Sequence, residues 1–512
     1  MPGQILIYVG IVWAAYFLLS HLIPLLRQGR PLAAPWEYGI VGAGYFGVAM
    51  LLLVNLNGLW VDHFGVNGAL YSQYARVIAR HGFDTTMGYC YLSSGPQFDA
   101  TAPVYANHPP GLIWGLAVMF KIFGSSEGVA RLFVISFSLF AAASVAYMMY
   151  SFYGSRTAVA IFPVLAASPS FTYFGRMVNF EPVLIAVTVI FYSLLLLRKS
   201  GCAMSACLLF LLAMMPLIDW AGGVTGIVGA VALGRIRYRN SMVKMVLAGC
   251  LVVSIFVLTL GYSLSAWGGI SAGLETFCQN SMKWFTSYPV RYTPLEWIAK
   301  VVHNAITLNP VIVVLPIASI AAYRLYTRDM RWFLVGVTLP FVLIIPMMPK
   351  AVYAHDYHMA FWWPSLAVMF ALLIQTWRHR IIHTLTVSML ILLLSMKGIG
   401  TMMQFHRPEI VSLHLARVGM SLNRIVGPSH KVAIINTTAK PYSPILVYYL
   451  DRKHALFRSF DDAKNGDAYD YYCFASKYRW TSAEEQAGLN NYEEVRGAYA
   501  PTYRRRIVPV RP

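Results

Sequence analysis

Apolar runs separated by short polar breaks fill the first four-fifths of the chain. Twelve runs read as membrane spans, near 4–25, 38–57, 130–151, 157–171, 181–197, 202–217, 220–234, 242–262, 300–323, 331–347, 359–376 and 382–398. The longest polar interruption among them runs from Gly58 to Gly111, within a first loop of 58–129. Inside it, Gly68–His81 predicts an amphipathic helix with Leu70, Tyr74, Val77 and Ile78 on one side. The run Gly111–Phe123 carries Lys121 and is too short to span, so it predicts a helix lying at the bilayer surface.

Beyond residue 398 the pattern changes to that of a soluble domain, 399–512. Lys431–Thr437, His454–Ser459 and Asp470–Ala475 predict strands, and Ser443–Leu450 and Thr481–Asn490 predict helices, the latter capped by Thr481 or Ser482. The expected fold class is therefore an α-helical polytopic membrane protein, residues 1–398, followed by a small soluble α/β domain.

Charge orients these elements. With twelve spans, the loops at Arg27/Arg30, Arg156, Arg198/Lys199, Arg235/Arg237/Arg239, Arg324/Arg328/Arg331 and Arg378/Arg380 all lie on one side, the cytoplasmic one. The loop 58–129, the Phe171–Glu181 turn, the 263–299 and 348–358 loops and the C-terminal domain then face outward, into the periplasm or extracellular space. Most acids of the membrane region, Asp62, Asp84, Asp99, Glu127, Glu181, Asp219, Glu275, Glu296 and Asp356, are on that outward side.

Composition supports the membrane assignment. Of 512 residues, 58% are hydrophobic and 12% charged, against about 25% charged in soluble domains. The formal net charge of +19 fits cytoplasmic loops and anionic lipid and does not require nucleic acid. No glycine-rich phosphate loop is present, which argues against an NTP-driven pump. The six cysteines are scattered without CxxC spacing, which disfavours a zinc or redox site. The first apolar run lacks a basic start and a small-residue cleavage site, and is expected to be a retained span.

Four outward segments carry candidate chemistry. Asp62-His63 follows a span, where a carboxylate base can stand at the bilayer surface. His108-Pro109-Pro110-Gly111 leads into a helix whose free N–H groups and dipole suit an anion. Arg176 and Glu181 mark one span boundary, where a carboxylate is costly unless paired or functional. Lys350, His355, Asp356 and His358 lie in one turn before a late span. Two histidines without a third ligand make a divalent metal possible but not favoured.

The order of these four signals resembles the GT-C superfamily, and within it the protein O-mannosyltransferase-related group (glycosyltransferase family 39), which includes the aminoarabinose transferases of lipid A. The turn Gly124–Arg131 is similar to that group's Gly…Ala-Arg connection, and the resemblance covers about residues 38–376. It implies lipid-linked sugar donors and a non-cytoplasmic active site with juxtamembrane helices. Asp62 matches the first-loop acid, the proposed base; His108 occupies the position of a basic contact to donor phosphate; Glu181 matches the second acid; His355 matches the late-loop histidine. This chain has Asp-His for the common Asp-Glu, His-Pro-Pro for Lys-Pro-Pro, and one extra span before the usual first.

The expected function is transfer of a sugar from a polyprenyl-phosphate donor to an envelope glycan, lipid or protein, at the periplasmic face of the inner membrane. Asp62 and Glu181 are the expected catalytic residues, and His63, His108, Arg176, Lys350, His355 and Asp356 the expected substrate contacts. The donor is substrate and no cofactor is needed. The alternative is a transporter or flippase of lipid-linked glycans, for which charges near midspan and an inverted repeat would be expected. A scaffold whose soluble tail binds an envelope partner would leave the acid-bearing loops unexplained.

Overall fold

The structure is a computed structural model. It describes residues 34–93, 95, 97–102, 104–197, 201–238, 241–266, 268–282, 292–314, 327–347, 349–376, 381–427, 430–435, 444–451, 454–457, 469–474, 492–494, 500 and 502–505. The chain divides into two compact units.

The first unit comprises Met1–Leu56, Ala106–Leu112 and Arg131–Phe405. Among the described residues, three helices are long and apolar enough to cross a membrane: Glu127–Tyr153, Met242–Ala266 and Asp356–Gln375. Ser155–Ala167 and Pro169–Arg176 form a pair bent by 80°, a fourth span if taken together. Shorter apolar helices are Gly39–Leu52, Gly111–Phe123, Phe180–Leu196, Cys202–Ile218, Ala221–Ile236 and Met330–Leu339. Several expected spans are thus broken or short, and the expected span 4–25 lies outside the described residues.

The bend has a local cause. Ser168 is extended (φ −105°, ψ 106°) and precedes Pro169, which has no N–H to continue the helix. The chain then runs through a 3-10 turn, Phe174–Arg176, and re-enters a helix at Phe180. Helix Ile161–Ala167 is buried along its whole length and packs against Trp363–Thr376 and Ile381–Phe405. A second sharp turn joins Cys202–Ile218 to Ala221–Ile236. Gly222 permits it, because a Cβ there would lie 1.8 Å from the Met215 carbonyl oxygen.

The second unit comprises Asn57–Tyr105, Ile113–Ala130 and His406–Pro512. The expected division at residues 398/399 falls inside helix Ile381–Phe405. Helix Gly65–His81 buries Tyr74, Val77 and Ile78, with Leu70 half-buried. It starts three residues before the expected Gly68, because the Gly65 N–H donates to the Asp62 carbonyl (2.8 Å) and Phe64 turns the chain with φ 56°. A short antiparallel ribbon pairs Cys90–Tyr91 with Val104–Tyr105.

The C-terminal segment carries a five-stranded mixed sheet, in the order His454–Phe457, Val432–Ile435, Tyr471–Phe474, Thr502–Arg505, Tyr492–Glu494. Val432–Ile435 is paired in parallel on both sides and fully buried, as a continuous apolar run requires. The last two strands pair antiparallel and were not expected; they are short and partly polar. The expected helix Thr481–Asn490 lies outside the described residues. Val418, Leu422, Val432, Ile434, Leu446 and Cys473 form the core under the sheet. Helix Pro444–Leu450 packs against Ile410–Ile425 and Gly65–His81.

Candidate active site

In the first unit, three helix ends and the 3-10 helix Asp356–Trp362 bring His108, Asp219, Glu181 and His358 together. Gly111 begins helix Gly111–Phe123 with its backbone against the Leu217 carbonyl; a Cβ would lie 2.6 Å from that oxygen. This close approach sets His108, three residues earlier, beside the Asp219 turn. Asp219 Oδ1 accepts the Ala221 N–H (2.9 Å), which fixes the carboxylate. Its Oδ2 lies 3.3 Å from His108 Nδ1. Trp220 Nε1 donates to the Asn107 carbonyl (2.7 Å), a second tie between the same segments. The His108 ring stacks on Phe180, with centroids 4.4 Å apart and planes at 11°.

Glu181 follows Phe180 in the first turn of its helix, where a carboxylate is favoured by the helix dipole. It is 6% exposed, and its Oε2 has no hydrogen-bond partner among the described residues. Asp219 is near enough to act on it electrostatically. His358 Nδ1 lies 4.0 Å from Glu181 Oε1, longer than a hydrogen bond. His355 caps the 3-10 helix Asp356–Trp362, stacks on Tyr357 (5.1 Å) and lies 6.4 Å from the His358 ring. Asp356 starts that helix, and Lys350 is half-buried on the preceding short helix Pro349–Ala354. That helix is tied down where Trp297 Nε1 donates to the Pro349 carbonyl (2.8 Å).

Arg176 is 2% exposed, and its Nη2 donates to the Asn55 carbonyl (2.8 Å). Arg131 Nη1 donates to the neighbouring Leu56 carbonyl (2.9 Å). Both guanidinium groups thus brace the backbone turn that follows helix Ala34–Leu52.

Asp62 and His63 belong to the second unit. Asp62 is 7% exposed, with Oδ2 3.8 Å from His406 Nδ1. The Val61 carbonyl accepts the Glu409 N–H (2.7 Å), and the Trp60 N–H donates to the Tyr449 hydroxyl (2.8 Å). These bonds fix the backbone on which Asp62 sits. His63 is half-buried and meets Phe64 edge-on at 4.3 Å.

Asp219 and His406 lie beside the expected site residues without having been singled out, and His358, named in its turn, lies beside Glu181. The sequence carries a signal for the first two. Asp219 interrupts two apolar helices, and His406 lies two residues before Pro408. Among the described residues, no three His, Cys, Asp or Glu side chains are grouped as metal ligands.

The arrangement can hold an anion and position hydroxyl groups. Asp219 Oδ2 faces His108 Nδ1 within ion-pair distance but makes no hydrogen bond to it, so the two interact through charge when the imidazole is protonated. The acids accept from sugar hydroxyls.

No protein-family model matches the sequence, and no curated protein is similar to it by sequence. A solved structure does share its architecture. The crystal structure of ArnT from Cupriavidus metallidurans bound to undecaprenyl phosphate superposes with a TM-score of 0.62 at 12% identity, covering 92% of this chain and 98% of that one. The archaeal oligosaccharyltransferase AglB from Archaeoglobus fulgidus, in complex with an inhibitory peptide and a dolichol-phosphate, has a TM-score of 0.48 at 11% identity and covers 81% of this chain and 64% of its own.

Proposed function

We propose that this multi-pass membrane protein, which has the GT-C membrane glycosyltransferase fold, transfers a sugar from a polyprenyl-phosphate carrier to an envelope acceptor. The observation that carries the reading is the His108–Asp219 pair, at 3.3 Å, beside the buried and partly unsatisfied Glu181. A span-end carboxylate with no lysine or arginine partner among the described residues supports a functional role over a stabilising one.

In the proposed reaction the acceptor oxygen forms a bond to the anomeric carbon as the bond from that carbon to the phosphate oxygen breaks, and the configuration inverts. The phosphate leaves as a stable anion, so fixed positive groups and dipoles supply more than a strong acid would. His108, held by Asp219, and Lys350 and His355 are assigned to the phosphate. Arg176 is assigned to it through the turn that it braces, as a positioning residue. Glu181 and Asp356 are assigned to hydroxyl groups of the transferring sugar. Asp62, with His63 beside it in sequence, is assigned the acceptor proton.

The reading includes the twelve-span topology, an outward, periplasmic active face in the inner membrane, and a C-terminal segment that engages the acceptor. Its partners are the lipid-linked donor, membrane lipid and a glycan, lipid or protein acceptor, and no metal ion is required. The test is transfer from a synthetic polyprenyl-phosphate sugar in detergent by the parent and by Asp62→Asn, with donor binding followed separately. Asp62→Asn is expected to lose roughly 100- to 10,000-fold in rate while still binding donor. Parent-rate transfer by Asp62→Asn removes its assignment as base. Movement of a lipid-linked glycan across vesicles, without transfer, makes the protein a transporter.

A further inference from the structure

The second unit contains a cavity of ≈ 490 Å³, lined by Arg76, Glu127, Asn423, Arg424, Tyr448 and Asp451 among others. Its volume is that of a small-ligand site, about 300–1,000 Å³. We infer that it binds a neutral carbohydrate, a portion of the acceptor glycan; the word acceptor rests on the transferase reading above.

The charges around the cavity are balanced before any ligand enters. Arg76 is 8% exposed and lies 3.9 Å over the Tyr448 ring. Its Nη1 donates to the Tyr448 carbonyl (2.9 Å) and stands 3.8 Å from Asp451 Oδ1. Arg80 holds Asp451 from the other side through two hydrogen bonds, 3.1 and 2.8 Å. The lining therefore presents one further acid, Glu127, and one further base, Arg424, which is exposed in the last turn of helix Ile410–Ile425.

The acid is preset. The Tyr449 hydroxyl donates to Glu127 Oε1 (2.8 Å) while accepting the Trp60 N–H (2.8 Å), so one carboxylate oxygen is fixed by a buried ring. Glu127 Oε2 accepts no hydrogen bond from a described residue, and Asn423 and Arg424 also line the cavity. The cavity thus offers both acceptors and donors, which vicinal hydroxyls match because each hydroxyl both donates and accepts. A phosphate or a carboxylated sugar would meet Glu127 and Asp451 as like charges. An apolar peptide anchor finds little surface, because Tyr448 and Tyr449 are 3% and 8% exposed.

The test uses the full chain in detergent on an array of short neutral, carboxylated and phosphorylated oligosaccharides. The parent is expected to retain neutral members. Glu127→Gln, which keeps the Tyr449 bond, and Arg424→Ala, at an exposed position, should each weaken that binding by about 10-fold, the worth of one charged hydrogen bond. Retention of anionic members in preference, no retention of neutral ones, or neutral binding unchanged in both variants overturns the inference. A parallel arm follows consumption of a synthetic polyprenyl-phosphate sugar. Donor consumed with no neutral glycan bound defeats the cavity assignment alone. Glycan bound and lost in the variants, with no donor consumed, defeats the transferase reading and leaves a carbohydrate site.

Discussion

In the first unit, Asp219, Glu181, His108 and His358 put two carboxylates with two imidazoles, and among the described residues no lysine or arginine bonds either acid. In the second unit, Asp451 is held by Arg80 at 2.8 Å and by Arg76 at 3.8 Å, and Glu127 is held by a tyrosine hydroxyl. Both groups are at least partly buried, so both carry a desolvation cost. The second offsets that cost with opposite charge and hydrogen bonds to Asp451, and so fastens helix Gly65–His81 to helix Pro444–Leu450. The first leaves polar atoms unsatisfied. The two groups differ in their partners: arginines hold Asp451 in the second, and none holds either acid of the first among the described residues.

The two groups should therefore fail differently when an acid is removed. The largest expected effect is on Glu181→Gln, which should lower transfer by roughly 100-fold or more while leaving the unfolding transition near the parent's, since no cation is stranded. A large loss of stability with unchanged transfer per folded molecule would put Glu181 in the structural class. Asp451→Ala should do the opposite and destabilise by about 1–3 kcal/mol, because Arg76 is left with a reduced set of partners. This is read from detergent-stable thermal unfolding, and an unchanged transition breaks the comparison.

The pH dependence sharpens the same contrast. Burial alone would raise the Asp451 carboxyl; the Arg80 hydrogen bonds and the Arg76 and Arg80 charges outweigh it, so its pKa lies below the ordinary carboxylate value. A group lowered in this way stabilises fully above its unfolded value, near 3.9, and loses that contribution as pH falls through the folded value. The stability gap between the parent and Asp451→Ala should accordingly be constant above about pH 5 and close below about pH 3. A gap that persists in acid would show that packing, not charge, holds this contact.

Gly111→Ala is expected to have a smaller effect. Its Cβ would meet the Leu217 carbonyl at 2.6 Å and push His108 away from Asp219. Donor binding should weaken by about 10-fold, the order of one charged hydrogen bond. Unaltered binding would mean that the His108–Asp219 spacing does not matter. The smallest expected effect is from chelation, which should leave transfer unchanged because the proposed chemistry uses no metal ion.

Much of this was legible in the sequence, and the remainder was hidden for physical reasons. The helix at Gly65–His81 announced itself by periodicity, and Val432–Ile435 by an unbroken apolar run between polar flanks. His108 was legible because two prolines and a glycine frame it. Its partner was not, since Asp219 looks like an ordinary acid between apolar helices and its pairing depends on a glycine contact far away in the chain. His406 was hidden likewise, by its distance in sequence from Asp62. Arg176 was visible as a boundary cation, but only the fold shows it spending Nη2 on the Asn55 carbonyl.

The central claim is that the His108 group holds the phosphate of a lipid-linked sugar. The most direct measurement is binding of a synthetic polyprenyl-phosphate sugar to the purified parent, to His108→Ala and to Asp219→Asn, alongside release of polyprenyl phosphate. The parent should bind donor and release the lipid phosphate when acceptor is present. His108→Ala should weaken donor binding by about 10-fold or more, and Asp219→Asn by less, because it only orients the imidazole. Donor binding equal in all three proteins would contradict the claim and place the phosphate elsewhere.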